Sequence, residues 1–363
     1  MNNKTLFAVV ILSATVILGV SCVSTPNTIN TDPRQTLLDP DSNSATMNKP
    51  VQVFVMLGQS NMLGFGKIGP EDTKGTLEYL IKSQGMYPHL VDDDGAWTQR
   101  EDVRYVQVMH RNDVMSELRN EWLHVNGNIG PELQFGYVMG HVLDEPVLLI
   151  KSCIGNRSLG WDLLPPGSDG FEFEGRNYAG YKESPNSWEI GAEPEPIGWY
   201  AGKQYDDDIG NAKKVLTNIG DYYPGATSYE VAGFVWWQGH KDQGPAMASR
   251  YEQNLVHLIK TLRKDFDAPE AKFVMATIGF NGWDLAGPGL TVANAQLAVG
   301  GDEGKYPEFV GNVKTVEARD FWKDAEVSPR NAGHHYNLNA ETYMEVGILL
   351  GWAMADLLIK GIR

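Results

Sequence analysis

Ser60 stands in Gly58-Gln59-Ser60-Asn61-Met62, directly after the apolar run Val51–Leu57. A serine hydroxyl is a weak nucleophile until a neighbouring base takes its proton. The chain carries a histidine pair, His334-His335, in the polar segment Asn331–Asn337, just ahead of its last apolar stretch. Small and hydrogen-bonding residues also follow three other apolar runs: Ser152–Asn156 after Lys151, Gln238–Asp242 after Trp237, and Gly279–Trp283 after Ile278. Taken singly, Ser60 reads as a turn residue and the two histidines as exposed polar residues. Together, with Gly155 and Gln238 on neighbouring runs, they read as acyl transfer through a serine, with His334 or His335 as the base.

Such groups must be brought together by the elements that carry them. Val51–Leu57, Pro146–Lys151, Val231–Trp237 and Lys272–Ile278 are nearly continuous apolar runs, as expected of strands covered on both faces of a parallel sheet. Helical patterns alternate with them. Pro131–Leu143 opens with Pro131 and Glu132, and Ala248–Phe266 carries Leu255, Leu258, Ile259 and Leu262 on one stripe. A final helix follows the capping Asn339. This alternation predicts a three-layer α/β/α sandwich around a central parallel sheet, in which ligands gather beyond the carboxyl ends of the strands. The long stretches Gly64–Gly130 and Asn156–Tyr205 are expected to be ordered loops over one end of that sheet.

Composition narrows the classes. Of 363 residues, 42% are apolar and 21% charged, which excludes a disordered chain. A formal net charge of −16 argues against nucleic acid as partner but not against a neutral substrate such as a sugar. Residues 1–22 have the plan of a bacterial secretory signal: Lys4, an uncharged run Leu6–Val20, then Ser21 and Cys22. Cys22 reads either as the lipidated first residue of an exported periplasmic or cell-envelope lipoprotein, or as an incidental cysteine after an ordinary signal. Residues 23–49 read as a flexible tether, and residues 50–363 as one domain of catalytic size. The other cysteine, Cys153, is expected to be buried, and two cysteines are too few for a cysteine-rich zinc site.

VFVMLGQSNMLGFG, GPELQFG, IKSCIGNRSLGW, WWQGHKD and HHYNLNAETYMEVG, in that order, resemble the blocks of the SGNH-hydrolase superfamily. The nearest branch is the sialate O-acetylesterase-like group, which includes the acetylxylan esterases of carbohydrate esterase family six. The resemblance runs from about Val51 to Leu358. It implies a flavodoxin-like fold and a serine esterase that needs no cofactor or metal and acts on an acetylated carbohydrate. By position it makes Ser60 the nucleophile and His335 the general base. The oxyanion donors would be the backbone N–H groups of Ser60 and Gly155 with the Gln238 side-chain amide.

Two departures from that pattern stand out. The acid that often lies three residues before the histidine is replaced by Ala332, and the Glu that some members carry after Trp-Gln-Gly is replaced by His240. Asp242 is then the nearest carboxylate for the triad, ahead of Glu326 and Asp324, with a Ser–His dyad oriented by a backbone carbonyl as the other solution. Asn156-Arg157 is the second departure, and Arg157 could reach a substrate anion in bidentate fashion; a salt bridge is its plainer reading. Arg157, Asn156, Gln59 and Glu132 are the expected substrate contacts, although a helix start already explains Glu132. Trp161, Trp188, Trp199 and Trp283 could stack on sugar rings or simply pack the loops. Two other classes compete. One is a metal-dependent hydrolase using His240, Asp242, His334 and His335; the other is a surface-anchored glycan-binding protein that has lost catalysis.

Overall fold

Val51–Gly58 forms β1, whose side chains alternate between two buried faces, Phe54 and Met56 on one and Val53, Val55 and Leu57 on the other. The computed structural model describes residues 44–301 and 304–360. The sequence readings of Met1–Cys22 and of the tether up to residue 43 therefore lie outside the described residues. After β1 come α1 (Ser60–Leu63), α2 (Leu77–Gln84), β2 (Gln99–Arg111), β3 (Val114–His124), α3 (Glu132–Val142) and β4 (Val147–Ser152). A small three-stranded sheet follows, β5 (Phe171–Phe173), β6 (Arg176–Tyr178) and β7 (Ser187–Glu189). The remainder alternates: α4 (Lys203–Thr217), α5 (Ile219–Tyr222), β8 (Tyr229–Trp237), α6 (Pro245–Asp265), β9 (Lys272–Ala276), α7 (Gly287–Gly300), β10 (Val313–Val316) and α8 (Ala340–Lys360).

The main sheet has the order β10-β9-β8-β1-β4-β2-β3. All its pairings are parallel except β2 with β3, so the expected parallel sheet is a mixed one with an antiparallel edge. In the register at its centre, Val55 lies between Ile150 of β4 and Phe234 of β8. Helices α2, α3 and α8 cover the Phe54 face, and α4, α6 and α7 cover the Val55 face, completing the three layers. Each fully buried large apolar side chain contributes about 1.5–3 kcal/mol, so both layers are needed to hold the sheet.

The four expected strands and the three expected helices are present. Gly64–Gly130 is not simply loop, however, because it contains α2 and the long β2–β3 hairpin at the sheet edge. The charges of β2 hid it. Arg100 is buried and paired with Asp102, while Arg104 donates to the Tyr222 carbonyl (3.0 Å) and lies 5.0 Å from the centre of the Trp122 ring. Asn156–Tyr205 holds the small sheet and a cluster of Trp161, Leu164, Ala179 and Ala201 packed on Met247 of α6. Helix α8 starts where expected, the N–H of Glu341 donating to Asn339 Oδ1 at 3.0 Å. Cys153 is buried and free, and burial pushes its thiol up.

Candidate active site

Strand β1 sits at the centre of the sheet, between β4 and β8, and Ser60 emerges from its carboxyl end as the first residue of α1. The turn needs Gly58. Its φ is +151°, and a Cβ there would come within 2.3 Å of the Trp237 carbonyl oxygen. Ser60 is only 7% exposed. Its N–H heads a helix and so has no acceptor within it. Gly155 lies beside it, close enough that a Cβ on Gly155 would be 3.6 Å from the Ser60 Cβ. Neither N–H donates a hydrogen bond among the described residues, so both are free for a developing oxyanion.

A buried network holds this corner in place. Gln59 Oε1 accepts from the Lys241 N–H and from Gln238 Nε2, both at 3.2 Å, and Gln59 Nε2 lies 3.4 Å from Ser60 Oγ. Gln59, expected to contact substrate, is instead tied to Gln238 and Lys241 beside Ser60. Gln238 Nε2 also donates to the Arg157 carbonyl (2.9 Å) and to Asp242 Oδ2 (2.6 Å), while its Oε1 accepts from Tyr251 Oη at 2.9 Å. An amide nitrogen has two hydrogens, and three acceptors surround this one. Both hydrogens are committed inside the protein, so the oxyanion role expected of the Gln238 side chain is replaced by a positioning one.

Asp242 is corrected in the same way. Its carboxylate is fully buried, and Oδ1 accepts from the Gly160 N–H (2.8 Å) while Oδ2 accepts from the Leu159 N–H (2.9 Å). Burial pushes this carboxyl up to about 6, against the pull of Gln238 and the two backbone donors. It ties the loop after β4 to the loop after β8, and it does not orient His335. Glu132, another expected substrate contact, is an internal partner of the wholly buried Lys151, which also donates to the Leu63 carbonyl at the end of α1 (3.3 Å). Sequence reasoning missed Lys151, although a lone charge inside an otherwise apolar strand was the visible signal.

The histidines come from a strained turn. His335, Tyr336, Asn337 and Leu338 all have left-handed φ, from +49° to +62°, which for L residues costs about 1–2 kcal/mol each. Two buried side chains hold the turn. Tyr336 Oη accepts from the Gly279 N–H at 3.0 Å and its ring stacks on Phe280, 4.9 Å between centres. Asn337 Oδ1 accepts from the N–H groups of Ala332 and Gly333, both at 3.0 Å. The turn docks on the chain leaving α1. The His335 ring lies flat on Phe65, 3.9 Å between centres, and the Lys67 N–H donates to the Leu338 carbonyl.

Burial pushes His335 down to about 4, with His334 and His240 adding to the shift. Among the described residues, the charged groups that act on it are His334 and His240, not a carboxylate. His334 is exposed, its Nδ1 lying 2.6 Å from the Ala332 carbonyl. His240 is also pushed down, by burial and then by His334. Asp324 accepts from the Trp322 indole (3.0 Å), and both Asp324 and Glu326 are exposed. The metal-hydrolase reading would need Asp242 beside the histidines, and the structure turns that carboxylate towards Leu159 and Gly160. Among the described residues no group of three or more His, Cys, Asp or Glu side chains is placed to hold a metal ion.

Asn156 is exposed with φ +59°, and Arg157 is already engaged. Its Nε donates to Gln204 Oε1 (3.1 Å), its guanidinium lies 4.8 Å from the centre of the Trp199 ring, and Asp162 is 3.9 Å away. Trp161 is buried, Trp188 and Trp199 are partly buried, and Trp283 is 64% exposed.

The sequence model of the family described as "carbohydrate esterase, sialic acid-specific acetylesterase" matches residues 50–356. None of the curated proteins matches the chain. Among solved structures, a protein from Arabidopsis thaliana is similar at 17% identity and a TM-score of 0.48, over 84% of this chain and 98% of that one. A carbohydrate acetylesterase from Xanthomonas citri is similar at 13% identity and a TM-score of 0.46, over 83% of this chain and 55% of that one. NanS is similar at 13% identity and a TM-score of 0.46, over 88% of this chain and all of that one.

Proposed function

Because the chain belongs to the family of carbohydrate esterases described as sialic acid-specific acetylesterases, and so is a carbohydrate O-acetylesterase, we propose that it works as a serine esterase through an acetyl-enzyme on Ser60. The observation that carries the mechanism is the corner where Ser60 heads α1 beside Gly155 with both backbone N–H groups free. Ser60 Oγ attacks the acetyl carbonyl while His335 takes its proton. The carbonyl oxygen becomes an oxyanion held by the two N–H groups, each worth about 3–4 kcal/mol in such sites. Collapse breaks the ester bond, and His335 returns the proton to the departing sugar hydroxyl. Water, deprotonated by His335, then attacks the acetyl-serine; acetate leaves and Ser60 recovers its proton.

A histidine pushed down to about 4 is neutral at pH 7, as a base must be. Without a carboxylate behind it the imidazolium is poorly stabilised, so the reaction relies more on the oxyanion donors than in a complete triad. His334 offers a second reading of the base, because its Nδ1 at the Ala332 carbonyl fixes a tautomer with a free Nε2. Export, with Cys22 lipidated, goes with the same proposal. It is checked by fractionating cells that express the wild type or Cys22→Ala, and loss of membrane association in the variant is the expected result.

Acetate release from para-nitrophenyl acetate by residues 50–363, beside a Ser60→Ala control of unchanged circular dichroism, tests the mechanism. Turnover should fall by at least about a thousandfold in the control. Equal turnover in both proteins would refute the acetyl-serine, and no turnover in either would favour the glycan-binding alternative.

A further inference from the structure

Beyond the carboxyl ends of β9 and β10 lies an open cleft of about 800 Å³, one wall of which is the histidine turn itself through Asn331, Gly333 and Asn337. That volume is within the range of small-ligand sites. Its most exposed large apolar side chain is Trp283, and this indole is fixed. The Nε1–H donates to Asp320 Oδ1 at 2.9 Å, and one ring face rests on the Arg319 guanidinium, 4.3 Å from its centre. The other face is left to solvent, so a flat apolar platform stands ready without further loss of rotamer freedom.

The charge around that platform is one-sided. Asp284, Asp320, Asp324 and Glu326 line the cleft, and its one cation, Arg319, is taken up by Glu317 through Nε (2.9 Å) and Nη2 (2.6 Å). Asp320 and Asp324 hold the Trp283 and Trp322 indoles. The carboxylates of Asp284 and Glu326 make no hydrogen bond or ion pair among the described residues, which leaves them as acceptors for donors from outside. On the opposite side of the site Arg157 is occupied by Gln204 and Trp199, and Lys241 does not line the cleft. An aromatic face with carboxylates at its rim suits a sugar ring, whose C–H face stacks while its hydroxyls donate. A carboxylate-bearing sugar would meet repulsion there.

We infer that this cleft is a subsite for a neutral sugar unit, stacked on Trp283, of an O-acetylated polysaccharide whose ester lies at Ser60. The substrate class is thereby neutral glycan rather than sialic acid, and the inference rests on the esterase reading only for what happens at Ser60. Calorimetry with the Ser60→Ala protein separates the two, because it reads binding without catalysis. Unacetylated cellotetraose should bind, sialyllactose should bind at least about tenfold more weakly at low salt, and Trp283→Ala should weaken cellotetraose binding about tenfold. In the active enzyme, Trp283→Ala should lower kcat/KM for chemically O-acetylated cellotetraose about tenfold relative to that for para-nitrophenyl acetate. Tighter binding of sialyllactose, or cellotetraose binding untouched by Trp283→Ala with the fold intact, would overturn the subsite. Failure of Ser60 to form an acetyl-enzyme while these binding results hold would overturn only the mechanism.

Discussion

Behind Ser60, Asp242, Gln238 and Gln59 hold one another and the loops after β4 and β8, and the buried Glu132–Lys151 pair pins the end of α1. Around His335 the contacts are of another kind: a left-handed turn, a ring stacked on Phe65, and two further histidines in place of a carboxylate. The Ser60 side is thus fixed by buried hydrogen bonds, while the His335 side is fixed by aromatic packing and backbone strain. In the proposed mechanism catalysis leans on the first, because oxyanion donors need only be held still, whereas an unsupported histidine costs rate without abolishing it.

The largest expected effect breaks the base side outright. His335→Ala should lower kcat/KM for para-nitrophenyl acetate by about a thousandfold, and His334→Ala by less than about threefold. Steady-state kinetics on both variants checks this, and the reverse order would move the base to His334. Next comes the nucleophile side. Glu132→Ala leaves the Lys151 ammonium buried without its partner and should cost about 3–5 kcal/mol of stability, read by urea unfolding. A loss below about 1 kcal/mol would mean that this pair does not hold the corner.

Supplying the missing carboxylate sharpens the contrast. Ala332→Asp places an acid three residues before His335 and should raise kcat about tenfold, with the acid limb of the pH profile moving upward. An unchanged rate would show that the turn holds His335 well enough without an acid. The smallest effect is in the wild-type profile itself. A base pushed below its ordinary value of 6.5 to about 4 stays neutral at lower pH, so the acid limb of kcat/KM should fall near pH 4 rather than near 6.5. A limb near 6.5 would mean that His335 is more open to water in the working enzyme than in this structure.

Much of this was legible beforehand, and the exceptions have physical reasons. β1, β4, β8 and β9 declare themselves because strands covered on both faces are apolar throughout, and Ser60 is visible because a glycine turn follows the first of them. The β2–β3 hairpin is hidden by Arg100, Asp102 and Arg104, charges whose partners are tertiary. Asp242 and Gln238 were found in the right block, but sequence spacing does not reveal where a side chain points. Both turn to the backbone of Leu159, Gly160 and Arg157. The left-handed run at His335–Leu338 has no sequence signature, since none of its residues is glycine.

Rapid quenching of the enzyme during hydrolysis of an acetyl ester, followed by peptide mass spectrometry, tests the acetyl-enzyme directly. The expected result is one acetyl group on the peptide that contains Ser60, absent from Ser60→Ala and accumulating in His335→Ala if deacylation also needs the base. Acetyl on another residue, or turnover without any acetylated peptide at saturating ester, would contradict it.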